Sequence, residues 1–186
     1  VLSLVGGIAW ALIDHRRAGY AALNRLLMVL TRYTLAASMV GYGLAKIFKS
    51  QFPFPGLGAL TTTYGDSSPM GLAWRFMGYS EGYNFFTGGA EVLAGVLLLW
   101  RRTTTLGALV AIGVTGNIVA LNFCYDIPVK LYSSTLLLMA VYLAACDGRR
   151  LLDLFVRNRA TPAAEWAPYF TGKGARIGRV VVKSLF

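Results

Sequence analysis

The chain has 186 residues, of which 56% are apolar and only 14% charged, and its formal net charge at neutral pH is +10. With a mean hydropathy of +0.56, this composition is that of a membrane protein rather than of an ordinary soluble domain. The positive balance does not describe a nucleic-acid module, which keeps a soluble core and gathers its bases on one face; here Lys and Arg stand between apolar runs.

Residues 1–13, VLSLVGGIAWALI, reach only about 20 Å as a helix, short of the roughly 30 Å of a bilayer core. They are expected to be a partial transmembrane helix, the second half of a span. Val1 in place of Met points to a longer parent chain or a missing targeting segment, and the run lacks the basic start and cleavage site of a signal peptide. Asp14, His15, Arg16 and Arg17 end it, and residues 1–25 form a first unit.

Residues 26–146 are expected to form a membrane domain of four spans, at about 26–48, 83–100, 106–123 and 128–145. The first is interrupted by Arg32 and by Lys46, the latter near enough to an end to snorkel toward the headgroups. Residues 49–82 are the longest polar interruption, rich in aromatics and turn formers. Within them Ser68-Pro69 reads as a helix start, with Ser as N-cap and Pro at the first position. A short helix Pro69–Met77 should then lie along the membrane with Leu72 and Phe76 facing it, as part of an ordered aromatic cap. The second and third spans, joined at Arg101, Arg102 and a few threonines, should pack as an antiparallel hairpin, with Ala90, Ala94, Gly107 and Ala111 allowing close approach. Pro128 falls in the first turn of the fourth span. Residues 147–186 make a basic tail of net charge +5, read either as a surface-lying amphipathic segment or as the approach to a further span. The overall expectation is an all-α polytopic membrane protein: a four-helix transmembrane bundle, a partial N-terminal helix and a basic C-terminal tail.

Loops 14–25 and 101–105 and the tail are basic, whereas the intervening loops are neutral or carry only Asp126. The basic connections should face the cytoplasm, which puts the aromatic loop and the Asp126 turn together on the opposite side of a bacterial cytoplasmic membrane.

Polar residues inside such spans are expensive in lipid and should face protein. Measured from the charged end of each span, Arg32, Glu91 and Asn117 fall at similar depth, which suggests an ion pair of Arg32 with Glu91 flanked by Asn117. It reads either as a staple for the bundle or as a proton-handling or quinone-binding site. A second cluster is expected at the outer face: Lys46, Asn122, Asp126 and Lys130, with Asn84 nearby. There Asp126 would cap the last span and Lys130 would reach a carboxylate or a cavity mouth, or the group would form an anion or headgroup site. Cys124 and Cys146 lie a membrane crossing apart, too far for a disulfide. Cys124, beside Asp126 and Lys130, is the candidate thiol. The single His15 offers no paired haem ligands or metal cluster, so no metal or haem cofactor is bound through a recognisable motif, while a quinone is compatible with the pattern.

The segments RYTLAASMVGYGLAKIF, GDSSPMGLAWRFMGYS, FFTGGAEVLAGVLLLWRRTTTLGAL and NFCYDIPVKLYSSTLLLMA together resemble the DoxX-like membrane proteins, over about residues 30–155. The resemblance implies a bundle of four membrane helices and an association with membrane redox systems. Glu91, Asn122, Asp126 and Lys130 match polar positions of that family. It implies an accessory subunit of a larger membrane redox or energy-converting complex, with the lipid bilayer and other membrane subunits as partners and no nucleic acid. The alternatives are a stand-alone quinone-linked thiol or sulfur oxidoreductase using Cys124, and a small transporter using Glu91.

Overall fold

The computed structural model describes residues 2–13 and 20–161. Regular structure among them is helical throughout: α1 (Leu2–Ile13), α2 (Ala21–Ile47), α3 (Leu57–Thr61), α4 (Pro69–Tyr79), α5 (Glu81–Leu99), α6 (Thr104–Cys124), α7 (Lys130–Cys146) and α8 (Gly148–Phe155). Asp14, His15, Arg16, Arg17 and residues 162–186, including most of the basic tail, lie outside the described residues.

Helices α2, α5, α6 and α7 pack against one another around a core of Leu35, Ala36, Met39, Ala94, Leu98, Ala108, Ala111, Leu136, Ala140 and Leu143. Small side chains dominate because apolar helices in an apolar solvent gain little from burying bulk and much from close contact. The α2–α5 seam is the tightest. A Cβ on Gly43 would lie 2.6 Å from the Gly88 carbonyl oxygen, and one on Gly88 would lie 2.5 Å from the Gly43 carbonyl oxygen. Gly95 meets Ala36 and Val40, so residue numbers rise along one helix as they fall along the other and the pair is antiparallel. At the α5–α6 turn Gly107 abuts Leu97 and Leu98, the hairpin expected from the sequence.

Two helices, α5 and α6, are long and apolar enough to cross a membrane, or three if α7 and α8 form one span broken by a 76° bend. Helix α2 is longer, at 27 residues, but carries Arg25, Arg32 and Lys46 and is not among them. The bend at Asp147 turns α8 away from α7; the Thr105 hydroxyl donates to the Asp147 carboxylate there, and Arg150 pairs with it at 3.8 Å. Along α8, Leu151, Leu152, Leu154 and Phe155 fall on one side and Arg149, Arg150 and Asp153 on the other.

The end of the bundle at Ile47, Glu81 and Lys130 is closed by residues 48–80. Helix α4 starts as anticipated, the Ser68 hydroxyl accepting from Gly71 N at 3.1 Å with Pro69 at the first position. Its buried residues are Ala73, Met77 and Gly78; Phe76, expected to face the membrane surface, is exposed and packs on Tyr83 with ring centroids 5.3 Å apart. Close packing explains the choice of face, since a Cβ on Gly78 would come within 2.4 Å of the Pro53 carbonyl oxygen. Phe52 meets Trp74 edge-on at 5.0 Å, and Arg75 donates to the carbonyl of Ala59 at 2.9 Å. The expected ordered aromatic cap is therefore held by ring contacts and a guanidinium that satisfies loop carbonyls.

Candidate functional site

Beneath this lid lies a cavity of about 340 Å³, within the range of small-molecule sites. All four packed helices line it: Met39, Tyr42 and Lys46 from α2, Phe86, Ala90 and Glu91 from α5, Asn117 and Asn122 from α6, and Tyr132 and Ser133 from α7. Gln51, Phe52, Trp74 and Met77 of the lid and Ile127 of the α6–α7 turn complete the wall.

An ion pair is set into this mostly apolar wall. Lys46 Nζ donates to Glu91 Oε1 at 2.5 Å, with side chains 7% and 1% exposed. Helical geometry brings the two together. Every side chain leans toward the N-terminus of its own helix. In an antiparallel pair, Lys46 therefore leans down from the lid end and Glu91 leans up to meet it. The same lean explains why Lys46 does not snorkel outward as expected: its stem is directed into the bundle, and it is 5% exposed. The second carboxylate oxygen, Glu91 Oε2, is buried without a hydrogen-bond partner, as is Oε1 of Gln51, a lid residue that also lines the cavity. Around the pair, the Ser38 and Tyr132 hydroxyls lie 3.1 Å apart, the Tyr42 and Tyr132 rings are 5.8 Å apart, and Asn122 donates to the Ser133 hydroxyl at 2.9 Å.

The polar groupings read from the sequence are redistributed by this geometry. Arg32 does not pair with Glu91. The α2–α5 register puts Arg32 fourteen residues, roughly 21 Å along the helix, from Lys46. Arg32 is 6% exposed and lies 4.6 Å over the Tyr33 ring centroid, the attraction of a cation for an aromatic face. Equal depth from separate charged ends was misleading because α2 begins at Ala21 and its first turns overshoot α5. Asn117 does share the cavity with Glu91, although it is an exposed residue.

The outer cluster divides likewise. Lys46 belongs to Glu91. Asp126 and Lys130 bond each other, and this hydrogen bond, with the ammonium charge, holds the Asp126 carboxyl below the usual aspartate range. Asp126 does not cap α7, whose N-cap is Val129 with no side-chain bond; nor does Pro128 lie inside the helix, which begins at Lys130. Instead Asp126 occupies the left-handed region, with φ of 50°, where Asp is among the few tolerated non-glycine residues. Asn84 is fully buried and clamps the lid to α5, donating to Met77 O at 2.6 Å. Cys124 and Cys146 are free and exposed, and Cys124 does not line the cavity.

A cavity mouth near Lys130 and a quinone-binding site around Glu91 were expected separately; that one cavity takes in Lys46, Glu91, Asn117 and Asn122 was not, nor was the role of Gln51. The pattern that foretells the Lys46–Glu91 pairing is Gly43 with Lys46 and Gly88 with Glu91, each glycine three residues before its charge.

No protein-family profile matches the chain, and no solved structure does. A curated relative, the uncharacterized protein YwoB of Bacillus subtilis, is 37% identical over 136 residues, which cover 72% of this chain and 85% of the relative. At that identity over most of both lengths, the chain belongs to the same family as YwoB.

Proposed function

We propose that the chain is a DoxX-like subunit of a bacterial cytoplasmic membrane redox assembly, and that its cavity holds a lipophilic small molecule of the quinone class. In this reading α2, α5, α6 and α7 each cross the membrane once. The basic connections at the α5–α6 turn and after α7 lie in the cytoplasm, and the lid lies outside. Other subunits of the assembly carry the electron-transfer cofactors.

The observation that carries the proposal is the cavity with its buried pair: a site of about 340 Å³, ringed by aromatic side chains, with an ammonium and a carboxylate held at 2.5 Å. An apolar body with a few convergent polar groups is the general form of a small-molecule site. Lys46 and the Tyr42 and Tyr132 hydroxyls supply donors for a ring oxygen, and Glu91 Oε2 supplies an acceptor. The alternative in which Cys124 works as an oxidoreductase thiol draws no support from the geometry, because that thiol lies outside the cavity wall.

Purification from the host membrane in mild detergent, followed by mass spectrometry of the proteins and lipids retained in fixed ratio, tests the proposal. Co-purification with cofactor-bearing subunits and a bound lipophilic molecule is the expected result. A chain that comes away alone, with no such molecule, overturns it.

A further inference from the structure

Glu91 Oε2 is buried with no hydrogen-bond partner although its own residue is only 1% exposed. A buried carboxylate oxygen left unmet is costly, more so than a neutral acceptor. Gln51 Oε1, from the lid, is a second unmet acceptor on the same cavity wall. Two unmet acceptors and an aromatic lining define what the cavity lacks, which is a hydrogen-bond donor on an apolar body. The donor's charge is also constrained. Lys46 already neutralises Glu91, so an ammonium ligand would leave a net positive charge in a low-dielectric site and incur the desolvation of an unpaired ion. A neutral hydroxyl meets the need without that cost, and an aromatic ring suits the walls formed by Phe52, Trp74, Phe86 and Tyr132.

We infer that the cavity takes a hydroxyl-bearing aromatic ligand, a phenol with an apolar tail, whose O–H donates to Glu91 Oε2. The inference rests on the reading of the cavity as a lipophilic-ligand site and names the chemical form that site selects. Within the quinone class it favours the hydroxylated, reduced form, because the ring oxygens of the oxidised form are acceptors that leave Glu91 Oε2 unmet.

The test is equilibrium binding of 4-hexylphenol and of its methyl ether, 4-hexylanisole, to the protein in lipid nanodiscs, with each ligand's partition into empty nanodiscs subtracted. The two differ only in the donor. A hydrogen bond to an ionised acceptor corresponds to a roughly ten- to hundred-fold preference, so the phenol should bind at least ten-fold more tightly than the ether. The preference should vanish in the double variant Lys46→Met with Glu91→Leu, which removes the acceptor without stranding a charge. It should fall in Gln51→Leu only where a second hydroxyl is offered, as in a hexyl-substituted hydroquinone. Equal binding of phenol and ether overturns the inference while leaving the cavity a lipophilic-ligand site. Binding of neither overturns both.

Discussion

Replacing Lys46 by Met removes one half of a pair whose members are 7% and 1% exposed, leaving the Glu91 carboxylate buried with neither oxygen paired. Breaking a buried pair from one side costs about 3–5 kcal/mol. For a chain of this length, each kcal/mol moves the midpoint by about 2–4 °C. Thermal unfolding in detergent, followed by circular dichroism, should therefore show a fall in Tm of roughly 6–20 °C. The double variant Lys46→Met with Glu91→Leu exchanges the pair for apolar groups of similar volume, which in buried pairs is often neutral or stabilising. It should recover most of that loss and lie within about 2 kcal/mol of the native chain. A double variant that loses as much as the two single variants added together would show that Lys46 and Glu91 act independently and would refute the assignment of the pair as a unit.

Gly43→Ala and Gly88→Ala should each destabilise by about 1–3 kcal/mol, because the added methyl meets backbone atoms that cannot move aside. Gly41→Ala, with nothing within 4 Å of the added carbon, should be neutral or gain up to about 1 kcal/mol from helix propensity; the ordering of the three midpoints decides it. Ser68→Ala should weaken α4 by about 1 kcal/mol, seen as faster amide exchange over residues 70–72 with exchange in α6 unchanged. The Asp126–Lys130 bond depresses the Asp126 pKa in the fold, so its contribution is present above the ordinary value of 3.8 and is lost as pH falls through the depressed value. Asp126→Asn, which keeps a residue suited to the left-handed backbone, should flatten that acid-side dependence: slightly less stable than the native chain near pH 7, where the bond is made, and equal to it once pH falls below the depressed value, as a difference titration of Tm against pH would report.

The helices were legible because length and apolarity are local properties. Runs 83–100 and 106–123 became Glu81–Leu99 and Thr104–Cys124, within two residues at each boundary, and Ser68-Pro69 announced α4 through its capping chemistry. The pairing of charges was not legible, because it depends on register, and register is set where backbones touch. Depth counted from Arg25 placed Arg32 beside Glu91; contact between Gly43 and Gly88 instead places Lys46 there. Asp126 was expected to cap the last span and Lys130 to reach a carboxylate or a cavity mouth; the left-handed backbone at Asp126 instead turns its carboxylate back onto Lys130. The lid was foreseen as aromatic structure with Leu72 and Phe76 toward the membrane, but which of its residues pack inward was not legible, because the fit of Gly78 against Pro53 decides it.

The two ends of the buried pair are separated by 45 residues of chain, and translation runs in one direction. At about 5–20 residues per second, Lys46 is made roughly 2–9 s before the carboxylate that neutralises it. During that interval the end of α2 carries an ammonium with no counter-ion, a poor passenger for the bilayer interior. Burial of Lys46 therefore waits until α5 lies alongside, and residues 48–80, synthesised in between, set the length of the delay. The salt bridge thus belongs to the docked pair and not to α2 alone: the end of α2 acquires its neutral, buried form only when α5 has been made.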